Sequence, residues 1–94
     1  MRGLADDLAA LRQQMRATDK AILALMAKRL KTAQRIGEAK RKRGLPVRNY
    51  DVEADAIREA RSLCRKHKID PALGEEVMRT LIRAAIQAQE NHKP

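Results

Sequence analysis

Apolar positions in the first forty residues fall alternately four and three apart. Leu4, Leu8, Leu11, Met15, Thr18, Ile22, Leu25, Arg29, Thr32 and Ile36 form one series. Such a heptad seam predicts a single long helix over residues 4–42, with a partner along most of its length. No proline interrupts that stretch, and Gly37 is its one interior glycine. At 1.5 Å per residue the helix runs roughly 55–60 Å. A chain of 94 residues cannot extend that far in one direction and still bury the seam itself, so the predicted partner is a second copy.

The remaining pattern is also helical. The segment 44–48 is a connector, because Pro46 pushes Leu45 out of helical geometry. Asn49 is a candidate N-cap for a second helix over 50–67. There Glu53, Ile57, Ala60 and Cys64 share a face, with Ala56 and Leu63 beside it. Asp70 before Pro71 marks a third start, and that helix is expected over 71–90. Its stripe is Met78, Ile82, Ala85 and Gln89, flanked by Leu81 and Ile86. No stretch alternates with period two. The predicted class is all-α: three helices in one domain over 1–94, with a very long first helix intertwined in a homodimer. At 94 residues one copy has a thin core, which again favours an oligomer; with Tyr50 the single aromatic, that core is built from Leu, Ile, Val, Met and Ala.

Three polar residues break the apolar pattern. Arg29 occupies a seam position where Leu is expected, and a buried guanidinium needs an anionic or polar partner. Lys40, eleven residues on, lies on the same face ~16 Å away. Spacing leaves two readings for Arg29: it snorkels or pairs with an acid from another helix, or it belongs to an anion site. Glu53 is either a first-turn acid facing solvent or an acceptor aimed into a pocket near the cations. For Gln89, spacing alone predicts a frayed, exposed glutamine, which matters only if the third helix closes over the Arg29 face. The run Lys40-Arg41-Lys42-Arg43, followed by Gly44, reads as a solvated helix end, with Lys40 the exception.

The net charge of +9 predicts anionic partners. Small dianionic metabolites fit better than nucleic acid, because the basic residues are spread over three helices and one aromatic makes no stacking platform. Cys64 is the lone cysteine, which excludes an internal disulfide or a Cys-rich zinc site. Cys64 and His67 lack a third orienting group for nucleophilic catalysis. No glycine-rich phosphate loop or metal-ligand spacing is present. Neither a metal nor a cofactor is expected. Acids stand where a signal core would be, at Asp6 and Asp7, and no apolar run reaches membrane-spanning length. A cytoplasmic location and no membrane partner are expected.

From Leu11 to Gln89 the pattern resembles the all-helical chorismate mutases, which are intertwined three-helix dimers. The resemblance rests on Leu11-Arg12, Asp19, Ala27-Lys28-Arg29, Ile36-Gly37-Glu38-Ala39-Lys40, Leu45-Pro46-Val47-Arg48-Asn49, Asp51, Glu53, Leu81-Ile82 and Gln89. Each piece is weak alone, and their order and spacing together are specific. It implies a role for each matched residue. Arg12 of the partner subunit would bind one substrate carboxylate, and Arg29 would bind carboxylate within its own chain. Lys40 and Gln89 would donate to the ether oxygen of the breaking C–O bond. Glu53 would accept from the ring hydroxyl, with Asn49 nearby. Arg29, Lys40, Glu53 and Gln89 would carry the rearrangement of chorismate to prephenate in phenylalanine and tyrosine biosynthesis, with no cofactor.

Three positions depart from the family pattern. Val52 stands where a cation is frequent, Asn49 where an acid is usual, and Ala85 where a small hydroxyl is common. Arg48 is a candidate replacement for the missing cation. The alternatives on this scaffold are an isochorismate-pyruvate lyase and a weakened regulatory or structural domain. Fusion or complex formation with another aromatic-pathway enzyme is compatible with the sequence, while feedback control within this chain is not expected.

Overall fold

The computed structural model describes residues 4–91, with side chains from Asp7 onward. Three helices follow in order: α1 Leu4–Lys42, α2 Tyr50–Lys66 and α3 Pro71–Asn91. The expected bounds of α1 hold; α2 stops one residue earlier and α3 runs one further. No strand occurs among the described residues.

Local chemistry sets each boundary. α1 ends in a Schellman motif: Leu45 N–H donates to Lys40 C=O at 2.9 Å and Gly44 N–H to Arg41 C=O at 3.2 Å. Gly44 takes the left-handed conformation this motif requires, φ 66°. Asn49 caps α2, its side chain accepting from Val52 N–H at 3.2 Å. α2 ends in the same motif, with Ile69 N–H on Cys64 C=O at 2.8 Å. Here Lys68 occupies the left-handed position, φ 59°. Asp70 opens α3 by accepting from Ala72 N–H at 3.0 Å.

α3 packs against both α1 and α2, while α1 and α2 stand apart. α3 is therefore the bridge, and the gap it spans becomes the cavity described below. Gly74 permits close approach on the α2 side, because a Cβ there would collide with Cys64 Sγ. The lone cysteine is thus a packing group. The molecule measures 65 × 30 × 14 Å, an elongated shape set by α1.

Little of the chain is buried. Ala33 is the one large-or-small apolar side chain that counts as buried among the described residues, and Gln89 the one polar side chain. The heptad seam divides into two parts. Leu8, Leu11, Met15, Ile22 and Leu25 lie uncovered, with Met15 and Leu25 each 64% exposed. Arg29, Thr32 and Ile36 instead face the gap beneath α3. The seam therefore serves two surfaces rather than one.

Candidate active site

A cavity of about 420 Å3 lies between the three helices. α1 contributes Arg29, Thr32, Ala33, Ile36 and Lys40, positions three or four apart on one face. α2 and its cap contribute Asn49, Val52, Glu53 and Ala56 at the same spacing. α3 contributes Ile82, Ala85, Ile86 and Gln89, and the connector adds Val47. The walls are mostly apolar, with a few converging polar groups, the usual make-up of a small-molecule site.

Lys40 is fixed from two sides. Its Nζ donates to Val47 C=O at 2.5 Å and to Gln89 Oε1 at 2.9 Å. An ammonium has three donors, so one proton remains for a ligand. Gln89 is also held by its backbone, which accepts from Arg41 Nη1 at 3.2 Å. With Oε1 committed to Lys40, the amide nitrogen has no partner among the described residues and is not sealed off. It is the group free to donate into the cavity. Gly37 makes this arrangement possible: a Cβ there would lie 3.1 Å from Gln89 Cα, Cβ and Cγ.

Arg29 is half-buried and meets no carboxylate among the described residues. Its Nη1 donates to Leu81 C=O at 3.2 Å, and Nη2 lies 3.8 Å from Met78 Sδ. Those contacts use a minority of its five donors, and the charge itself is left uncompensated on the cavity wall. Glu53 is on the opposite wall, its side chain 18% exposed. Arg48 grips it in two bonds, Nη2 to Oε1 at 2.6 Å and Nε to Oε2 at 3.2 Å. That guanidinium holds the Glu53 carboxyl below the usual carboxylate range, with Lys40 adding a weaker pull in the same direction.

The profile of the chorismate mutase type II family matches residues 11–90. The chain belongs to that family. It is 35% identical over 83 residues to the T-protein of Enterobacter agglomerans, covering 88% of this chain and 22% of that protein. It is 30% identical over 77 residues to the chorismate mutase of Methanocaldococcus jannaschii, covering 82% of this chain and 78% of that one. It is 31% identical over 83 residues to the bifunctional chorismate mutase/prephenate dehydratase of Escherichia coli, with 88% and 22% covered. The chain thus spans about a fifth of the length of the two enterobacterial relatives.

Against the chorismate mutase resemblance, the structure brings Arg29, Lys40, Asn49, Val52, Glu53, Ala85 and Gln89 to one cavity. Arg12 lies on the exposed part of α1, about 25 Å along the helix from Arg29, and does not reach the cavity of its own chain. Arg48 is not on the cavity wall; it pairs with Glu53 and stacks on Tyr50, 4.5 Å from the ring centre. Two expectations from spacing need correction. Gln89 is 7% exposed rather than frayed, because α3 does close over the Arg29 face. Arg41 is more than a solvated helix-end cation, since it ties down Gln89. Ala56, read from the sequence as lying beside the Glu53 face, does line the cavity. Sequence reasoning did not single out Ala33 or the Val47 carbonyl. Ala33 carried a signal, standing at helical spacing from Arg29; a backbone carbonyl carries none.

Proposed function

We propose that this chain is a chorismate mutase whose cavity holds chorismate and rearranges it to prephenate. The observation that carries the reading is the convergence of Arg29, Lys40 and the Gln89 amide on one largely apolar cavity. The reaction is unimolecular: an ether C–O bond breaks as a C–C bond forms, and no atom enters or leaves. It asks for no nucleophile, and no Cys, His or Ser lines this cavity. What it asks for is a fixed conformer and stabilisation of negative charge growing on the ether oxygen.

The residues meet those demands in distinct ways. Arg29 offers paired donors to a carboxylate, which suits a planar fork. Lys40 and Gln89 present one spare ammonium proton and one amide N–H2 to the ether oxygen. Both are already oriented by protein bonds, so little reorganisation is needed as charge develops. Glu53 accepts from the ring hydroxyl, with Asn49 close by. Ile36, Val52, Ala56, Ile82 and Ile86 give the cavity an apolar lining, and an apolar surrounding strengthens each of these interactions.

The active unit is a homodimer in this reading. Leu8, Leu11, Met15, Ile22 and Leu25 lie uncovered in one copy, and covering such side chains is worth ~1.5–3 kcal/mol each at full burial. A second copy crossing this seam brings Arg12 of the partner subunit toward the cavity for the second carboxylate. The product then passes to a prephenate-consuming enzyme, joined to this chain or separate. No described helix is long and apolar enough to cross a membrane. In this reading the chain works in the cytoplasm, beside the other enzymes of such a pathway.

The test is a chorismate assay on the purified chain, following loss of diene absorbance and identifying the product. Prephenate without pyruvate is expected. Pyruvate release would assign the lyase activity instead, and a folded dimer without turnover would overturn the enzymatic reading.

A further inference from the structure

Beside the Glu53 wall lies a second cleft of about 240 Å3, between α2 and α3. Three arginines line it: Arg48, Arg79 and Arg83. Ile57, Ile82 and Ile86 form its apolar part, and Glu53 is the one acid on its wall. Their charges are not equally matched. Arg79 is held by Glu75 through bonds of 3.0 and 2.9 Å, and Glu75 also receives Arg61 at 2.9 Å. Arg48 is held by Glu53. Among the described residues Arg83 meets no carboxylate, and its one hydrogen bond is to Thr80 Oγ1 at 3.4 Å. The cleft thus carries cationic charge that its own acid does not neutralise, above an apolar floor.

We propose that this cleft binds a small amphiphilic carboxylate, its charge between Arg83 and Arg48 and its apolar body on the isoleucines. Its volume is below the usual range of ~300–1,000 Å3 for ligand pockets, which limits the ligand to a short carbon skeleton. A carboxylate gains most from the guanidinium fork, so it competes with Glu53 for Arg48. Glu53, Ile82 and Ile86 also line the main cavity. Occupancy of the cleft is therefore coupled to the main cavity through the freedom of Glu53, and the coupling is reciprocal. The coupling rests on the mutase reading; the binding does not.

Tyr50 provides the readout. It is the single aromatic in the chain, and the Arg48 guanidinium lies 4.5 Å from its ring centre. A ligand that draws Arg48 away changes tyrosine emission. Titration of the whole chain with 4-methylpentanoate, which has no chromophore, is expected to give a saturable change. In Arg83→Gln the midpoint is expected at least tenfold higher, with unchanged chorismate turnover in the absence of the carboxylate. Lys40→Ala is expected to respond like the unsubstituted chain, and 4-methylpentan-1-ol to give no change. Equal midpoints with and without Arg83, or a response abolished by Lys40→Ala, would place the carboxylate elsewhere and overturn the proposal. So would the absence of both an emission change and a heat of binding by calorimetry. Heat with no emission change would leave Arg48 on Glu53 and overturn the coupling. If the chain turns over no chorismate, the mutase reading fails while the titration still decides the cleft.

Discussion

Lys40 on α1 donates to Gln89 Oε1 on α3 at 2.9 Å, and this bond decides which end of the Gln89 amide faces the cavity. The oxygen is turned to the ammonium and the N–H2 group is left for a ligand. Two residues forty-nine apart thereby become one donor pair, each orienting the other.

The pair yields a pH-dependent prediction. In Gln89→Glu the new carboxylate pairs with Lys40 and has no proton to give near neutral pH, so it repels charge on the ether oxygen. Turnover falls at pH 7 and partly recovers as the carboxyl protonates at lower pH. A pH–rate profile checks this; full activity with an unchanged profile removes Gln89 from the site. Lys40→Ala loses both the charge and the orienting bond, and a fall in kcat of at least about 10²–10³ is expected from single oxyanion donors.

Gly37→Ala tests the approach of α1 and α3. The added methyl lies 3.1 Å from three atoms of Gln89. These are not the far end of a flexible side chain, since they include the Cα. Relief requires the end of α3 to shift, which carries Gln89 off Lys40. A stability loss of ~1–3 kcal/mol is typical of overpacking, and kcat should fall more than KM rises. Retained kcat would mean that the helix end tolerates displacement.

The exposed half of the seam predicts assembly. In an isolated chain Met15→Glu changes a side chain that is 64% exposed, and such surface changes cost within about 0.5 kcal/mol. In a dimer it buries charge at the interface. The unsubstituted chain should therefore show a Tm that rises with concentration, and Met15→Glu should sediment as a monomer with loss of activity. A compact monomer at micromolar concentration with an unaltered Tm in Met15→Glu would sink the intertwined assembly.

Acid stability should depend on Glu75. Arg79 and then Arg61 hold its carboxyl below the usual range by hydrogen bonding. Its folded pKa is thus lower than its unfolded one, ~4.3. The stabilisation is fully present above the unfolded value and is lost as pH falls through the folded one. Glu75→Gln should flatten the acid limb of the stability curve while leaving the basic limb in place, as measured by denaturation at a series of pH values.

Lys68 adopts φ 59° at the end of α2, a region that disfavours a side chain. Lys68→Gly removes that strain and keeps the Schellman bonds, and a gain of roughly 0.5–1 kcal/mol is expected after the extra flexibility of the unfolded glycine is offset. Chemical denaturation measures it directly.

The three helices and their ends were legible in the sequence because their causes are local. The four-three spacing, Gly44 after a basic turn, Asn49, and Asp70 before Pro71 each act within a few residues. Cavity faces were partly legible, since Arg29 and Lys40 share a helix face by arithmetic alone. Family resemblance from Leu11 to Gln89 supplied the grouping across helices. What tertiary structure decided are relations between residues far apart in the chain. It buried Gln89 by bringing α3 over α1, turned its amide toward Lys40, and recruited Arg41 and the Val47 carbonyl as supports. It also divided the seam between a cavity face and an uncovered face, and it took Arg48 off the cavity wall to hold Glu53. Helix spacing reports which residues share a face. It does not report which other helix that face meets, because that is set by long-range packing, here by α3 bridging two helices that stand apart.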